Sequence, residues 1–443
     1  MTDQNKKSNL WKAIGPGLLF AGAAVGVSHI VQSTRGGATF GTAAVLIVLA
    51  SCLVKWPAFR FGPLYAAATG NSLLTGYRLQ GRWVLGLFAV LTAMILFTTL
   101  AAVTVVTAGL LIHLFQLESV FSSWGVEPQY NASLVSLVLL LGTGLLLACG
   151  GYRWLDRAMK VAMPVLIVAT LSATLIAIAR FSFGSLTFLP SVDTSSEIGL
   201  TAAMIGWMPA PLDIAVWSSL WALARSRTSG NALESRAVLK DFDIGYLVTL
   251  ILAVCFVLMG ASIMYNTGRV FSTSSAAFAG EVVSLYTEQL GSWSWSLIAG
   301  AAFLAMLSTT VTVADGFPRA VAALISEAWP NRKQGPEGSK TSYWVVFVVG
   351  GIGAMLVLFY TLGREGVGFT QLVDFVTITS FIAAPILALL NHRVVHSAEV
   401  PLESRPSPWL RAWSWTGIVI MSTFTLAYIG FRLDIFQSIL GSL

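Results

Sequence analysis

Two short stretches concentrate the side chains that could do chemistry. Between Gly26 and Arg35 an apolar run is interrupted by Ser28, His29, Gln32, Ser33, Thr34 and Arg35. The second stretch reads Trp207-Met208-Pro209-Ala210-Pro211-Leu212-Asp213. Pro209 and Pro211 each lack an amide proton and clash with the preceding turn, so an unbroken helix is not expected there. Hydroxyls, an imidazole, an amide, a thioether and carbonyls freed by the break could together bind a small solute. The candidate binding residues are Gly26, Ser28, His29, Gln32, Trp207, Met208 and Asp213. Trp207 could wall or gate such a site, or simply pack.

The charged groups leave alternatives open. Asp213 is the only carboxylate near the second stretch, and charges at membrane depth usually mark a pathway or a pair. Arg35 and Asp213 could form an ion pair. Alternatively, Asp213 binds a cationic group or carries a coupling proton, and Arg35 holds an anionic group. Lys55 is expected to snorkel to the nearer membrane face, with a coupling role as the alternative. Asp374, followed by Thr377, Thr379 and Ser380, faces either a water-filled route or a polar helix contact. Asp315 should pair with Arg319 four residues on. His113, His392 and His396 read as solvated interface residues.

The elements that must position these groups are membrane helices. The chain has 443 residues, 56% hydrophobic and 10% charged, with mean hydropathy +0.77. Soluble domains carry roughly 25% charged residues, and a chain this apolar needs lipid as its solvent. The net charge of +6 resides in short loops, which argues against nucleic acid as a partner. Cys52, Cys149 and Cys255 lie apart in apolar runs without metal-ligand spacing.

A span needs about 20 apolar residues. About 11 are expected, at 12–40, 43–68, 83–112, 132–150, 157–180, 197–225, 242–265, 294–323, 342–362, 368–391 and 412–434. The first reads as an uncleaved span rather than a secretory signal. The longest loops are expected at 266–293 and 324–341. Alternating Lys and Arg counts place the N-terminus in the cytoplasm and the C-terminus outside, in an inner membrane. Interruptions in spans one and six are what two inverted five-helix repeats give, with solute held between the breaks. The repeats would cover about 12–180 and 197–391, with an extra helix at about 412–434, in one transmembrane unit of residues 1–443.

At this level the sequence resembles the NRAMP family of proton-coupled divalent metal-ion transporters. Gly15-Pro16-Gly17 is similar to that family's opening GPG, and Gly37-Ala38-Thr39-Phe40-Gly41 to its GAxFG. Arg60-Phe61-Gly62, Thr98-Thr99-Leu100-Ala101-Ala102-Val103, Tyr152-Arg153-Trp154-Leu155-Asp156, Met208-Pro209, Asp243 and Ser308-Thr309-Thr310 follow in the family's order. The resemblance implies a LeuT-like fold with broken helices one and six, symport and a divalent metal solute. The departures fall on the chemistry. Where the family has Asp-Pro-Gly-Asn, this chain has Gly26, Val27, Ser28 and His29; where it has His after Met-Pro, Ala210 stands; its third-helix acids fall on Thr99 and Ala102. His29 and Met208 remain as candidate metal ligands, and imidazole with thioether suits a soft or borderline transition metal rather than Mg²⁺ or Ca²⁺.

The expected function is therefore a secondary transporter of a small solute. A metal ion is implied by the resemblance, and an organic or zwitterionic solute, or a receptor-like homologue without turnover, are the alternatives. The partners are the bilayer and the solute. No resident cofactor, enzyme constellation or ATP phosphate loop is expected.

Overall fold

The computed structural model describes residues 16–150, 152–180, 187–229, 234–329, 338–364 and 367–433. Lys6, Lys7, Lys12 and Gly15, and the expected loop residues Arg332 and Lys333, lie outside the described residues. Every regular element among the described residues is helical.

The first apolar segment is two half-helices. α1 (Pro16–Ala24) ends in an irregular Val25-Gly26, Ser28–Ser33 forms a wide π turn, and α2 (Thr34–Phe40) completes the segment. The sequence accounts for the wide turn. Ser33 Oγ reaches back to the Ser28 carbonyl at 3.2 Å, and Thr34 Oγ1 to the Ile30 carbonyl at 2.8 Å. Hydroxyls that bond carbonyls in the preceding turn compete with the backbone ladder and bend helices.

Long helices follow: α3 (Ala44–Thr69), the short α4 (Leu73–Gln80), α5 (Arg82–Phe115), the short α6 (Leu117–Ser123), α7 (Pro128–Ala148) and α8 (Tyr152–Arg180). The sixth expected span is again two halves. α9 (Ser195–Trp207) opens with a capping box between Thr194 and Glu197, Met208–Asp213 is irregular, and α10 (Ile214–Ser229) resumes. Then come α11 (Ser235–Met264), α12 (Ser275–Leu290), α13 (Trp295–Ala328), α14 (Lys340–Leu362), α15 (Phe369–Val395) and α16 (Pro408–Arg432).

Each expected span contains helix. Eight helical runs among the described residues are long and apolar enough to cross a membrane, one of them running from Ser28 through Thr69. The expected loop at 266–293 needs correction, because α12 lies within it. Its apolar residues Phe278, Ala279, Val282 and Val283 are buried, so it is a packed helix rather than a connection.

Each broken segment leans on an unbroken helix through glycine. A methyl at Gly260 of α11 would lie 2.2 Å from the Thr34 carbonyl oxygen, and one at Gly37 of α2 would lie 2.0 Å from that of Val257. α9 approaches α15 in the same way, with the Cβ position of Gly206 1.9 Å from the Thr377 oxygen. These contacts let the half-helices sit backbone to backbone against their supports. In the first half of the segment, Phe20 of α1 packs against Phe59 of α3 and against Phe242 and Tyr246 of α11, with ring centroids 5.2–5.6 Å apart.

Candidate functional site

The two irregular stretches touch. Ser28 Oγ lies 3.2 Å from the Pro209 carbonyl, 2.7 Å from the Ala24 carbonyl and 2.8 Å from His29 Nδ1. A cavity opens beside this contact, walled by Ala23, Ser28, Thr99, Trp207, Pro211 and Thr309 among others. It holds about 20 Å³ for water-sized spheres, and one water needs roughly 10–15 Å³. A water or a single ion fits; an organic solute requires the walls to part.

Thr309 closes the cavity from α13. Its hydroxyl lies 3.0 Å from the Gly22 carbonyl and 3.3 Å from that of Val25, groups that the end of α1 leaves without helical partners. Its side chain also lies 2.7 Å from where a Cβ on Gly26 would stand. Thr99 Oγ1 is buried at the cavity without a hydrogen-bond partner.

The candidate residues separate into groups. Ser28 and Trp207 line the cavity. Trp207 is fixed as a wall, since its indole Nε1 donates to Ser380 Oγ at 2.8 Å. Met208 is fully buried, with Ser33 Oγ 3.8 Å from its sulfur. His29 turns toward α11, where Nε2 donates to the Thr249 carbonyl at 2.9 Å while Nδ1 faces Ser28. A carbonyl can only accept, so Nε2 carries a proton. Neither ring nitrogen of His29 points to Met208 in this arrangement. Among the described residues no group of three or more His, Cys, Asp or Glu side chains is placed to hold a metal.

Gln32 belongs to a separate polar cluster. Arg35 Nη1 and Nη2 donate to Asp374 Oδ1 and Oδ2 at 2.7 and 2.9 Å, and Gln32 Nε2 donates to Asp374 at 3.0 Å and Thr377 at 3.3 Å. This corrects the expected Arg35–Asp213 pair: the partner of Arg35 is Asp374, on α15. Asp213 is 2% exposed just before α10, and neither carboxylate oxygen has a hydrogen-bond partner. Of the two readings of Asp374, the polar helix contact is realised, through this ion pair and Gln32.

Lys55 corrects another expectation. It does not snorkel. It is fully buried and donates to the carbonyls of Ile205 and, at 2.8 Å, Gly206. A carbonyl partner could not be read from the sequence, because carbonyls are everywhere and only the break frees them. His392 is likewise buried rather than solvated, with Nδ1 2.9 Å from Ser414 Oγ and its ring stacked on His396. Asp315 does pair with Arg319, and it also accepts from the Tyr343 hydroxyl at 2.8 Å. At the opposite end of the bundle from Arg35, the Arg60 guanidinium donates to Asp243 at 3.0 and 3.2 Å, joined by Trp56 Nε1 at 3.1 Å.

Two broken helices meeting at a closed central cavity define an all-helical integral membrane protein of the LeuT-like fold. A crystal structure of a mutant Eremococcus coleocola manganese transporter is similar at TM-score 0.68 and 16% identity, over 96% of this chain and 88% of that one. MhsT in complex with L-phenylalanine gives 0.62 and 14%, over 94% and 97%. Mhp1, a nucleobase-cation-symport-1 family transporter in a closed conformation, gives 0.56 and 15%, over 97% and 93%. At these identities the likeness is one of fold. No family model matches the sequence. The chain is 30% identical over 437 residues to the uncharacterized protein PM0681 of Pasteurella multocida, covering 97% of this chain and 95% of that one, and it belongs to that protein's family.

Proposed function

We propose that the chain is a secondary transporter that moves a small solute by alternating access, and that this conformation is closed on both sides. The observation that carries the reading is the contact of Ser28 Oγ with the Pro209 carbonyl at 3.2 Å. It joins the wide turn of the first broken segment to the unwound stretch of the sixth beside a cavity, and irregular backbone at membrane depth is tolerated where it is buried in protein or lines a cavity. With the N-terminus in the cytoplasm of an inner-membrane protein, the Arg35–Asp374 pair closes the outer side and Arg60–Asp243 the inner side.

The resemblance to NRAMP, together with the manganese-transporter neighbour, makes a divalent metal ion the first solute to test. Met208 and the hydroxyls of Ser28, Thr99 and Thr309 would supply neutral donors. A second reading, a small organic or zwitterionic solute, is favoured by one observation: the cavity wall contains no carboxylate. A dehydrated divalent ion needs compensating charge or several strong oxygen donors.

The experiment is uptake into proteoliposomes. Mn²⁺, Fe²⁺, Zn²⁺ and Mg²⁺ are compared with labelled amino acids, nucleobases and amines, alongside calorimetric titration of the ions. Saturable ion uptake supports the metal reading. Absence of ion binding with organic uptake selects the second reading. Failure of every solute, with normal folding, leaves a receptor-like homologue.

A further inference from the structure

Lys55 holds two carbonyls whose identity is set by the prolines four residues on. In a continuous helix, the amide of residue 209 would donate to the Ile205 carbonyl, and that of residue 210 to Gly206. Residue 209 is proline and has no amide proton. Residue 210 precedes Pro211, which pushes it out of the helical conformation. The two carbonyls orphaned by Pro209 and Pro211 are the two that Lys55 Nζ takes. They also lie at the C-terminal end of α9, the negative pole of that half-helix. Lys55 reaches them from α3, fully buried, and no carboxylate pairs with it among the described residues.

We propose that Lys55 is a tethered cation: a specificity-determining side chain that occupies the carbonyl site made by the double-proline break. It stands where a free monovalent cation or primary ammonium would otherwise bind. The α9 end of the central site is then already charged, and it contributes no cation subsite to the cargo. This inference rests on the broken sixth helix alone and not on transport.

The test reads stability, so it is separable from any failure of the transport reading. Full-length wild type, Lys55→Met and Lys55→Arg are purified in the same detergent. Thermal midpoints are measured in methylammonium, Na⁺ or choline chloride at equal ionic strength. A ligand that binds only the folded state raises the midpoint in a saturable way. Wild type and Lys55→Arg should show the same midpoint in all three salts. Lys55→Met should be less stable in choline and rise by several degrees, saturably, in methylammonium. A Lys55→Met chain that cannot be recovered folded, beside a folded Lys55→Arg, also supports the assignment. It is overturned if Lys55→Met matches wild type with no salt preference, if it is destabilised with no response to either methylammonium or Na⁺, or if Lys55→Arg is lost or destabilised as severely as Lys55→Met.

Discussion

Arg35 and Asp374 meet fork to fork, with Nη1–Oδ1 at 2.7 Å and Nη2–Oδ2 at 2.9 Å, linking α2 to α15. Their side chains are 18% and 27% exposed, so solvent screens the pair only in part. Hydrogen bonds to charged groups contribute about 1.5–3 kcal/mol each, and about 1.4 kcal/mol is tenfold in an equilibrium. Asp374→Asn should therefore favour opening by about tenfold or more. The measurement is labelling of a cysteine placed at the buried Thr377 by an impermeant maleimide, with the exposed Cys149 replaced by serine. Labelling at the wild-type rate would remove this pair from any gating role.

Gly206 offers a steric test of how α9 is held. An alanine there would put its methyl 1.9 Å from the Thr377 backbone oxygen. Backbone cannot rotate away as a side chain can, so the helices must separate. Overpacking of this kind costs about 1–3 kcal/mol. Gly300→Ala is the control, because nothing lies within 4 Å of its Cβ position; removing a mid-helix glycine there should be neutral or mildly stabilising. Thermal unfolding should separate the two variants, and equal midpoints would contradict the close approach of α9 and α15.

Gly26 tests whether a metal site can be rebuilt. The resemblance to NRAMP implies a carboxylate at this position, yet its Cβ would lie 2.7 Å from both Thr309 Oγ1 and Thr309 Cγ2. Gly26→Asp alone should be destabilised and bind no Mn²⁺ in calorimetry. Combining it with Thr309→Ala removes both of those atoms and should recover folding together with Mn²⁺ binding. Tight Mn²⁺ binding by the stable single variant would show that the cavity already accommodates the acid.

Much of the fold was legible because it is written in local chemistry. Apolar runs of span length locate the helices, and Pro209 and Pro211 end α9 without help from tertiary context. Hydroxyl-rich Ser28–Thr34 marked the first break for a similar reason. The site was legible only in part. Ser28 and Trp207 do line the cavity. The partners of Arg35, Lys55 and His29 were not readable, because they are Asp374, two carbonyls of α9 and the carbonyl of Thr249. Backbone acceptors carry no sequence signature, and Asp374 stands 339 residues from Arg35. Thr309 was visible as part of Ser308-Thr309-Thr310, but its contact with the end of α1 depends on how α13 crosses it.

Asp213 gives the sharpest sign prediction. Its carboxylate is buried with no hydrogen bond of normal geometry on either oxygen, and what favours the charge is the nearby amides of Asp213 and Ile214 at the positive pole of α10. An unpaired buried charge is costly, and its removal here breaks no hydrogen bond. Asp213→Asn should therefore raise the thermal midpoint, by the equivalent of about 1 kcal/mol or more, whereas Arg35→Gln should lower it. Because Arg35 is paired to Asp374 instead, the Asp213→Asn and Arg35→Gln effects should add to within about 0.5 kcal/mol in the double variant. A coupling above about 1 kcal/mol would mean that the two charges interact after all. A lower midpoint for Asp213→Asn alone would mean that this carboxylate has a stabilising partner. If Asp213→Asn is more stable yet loses uptake in proteoliposomes, the charge is retained for function at the expense of stability, which places Asp213 in the transport cycle.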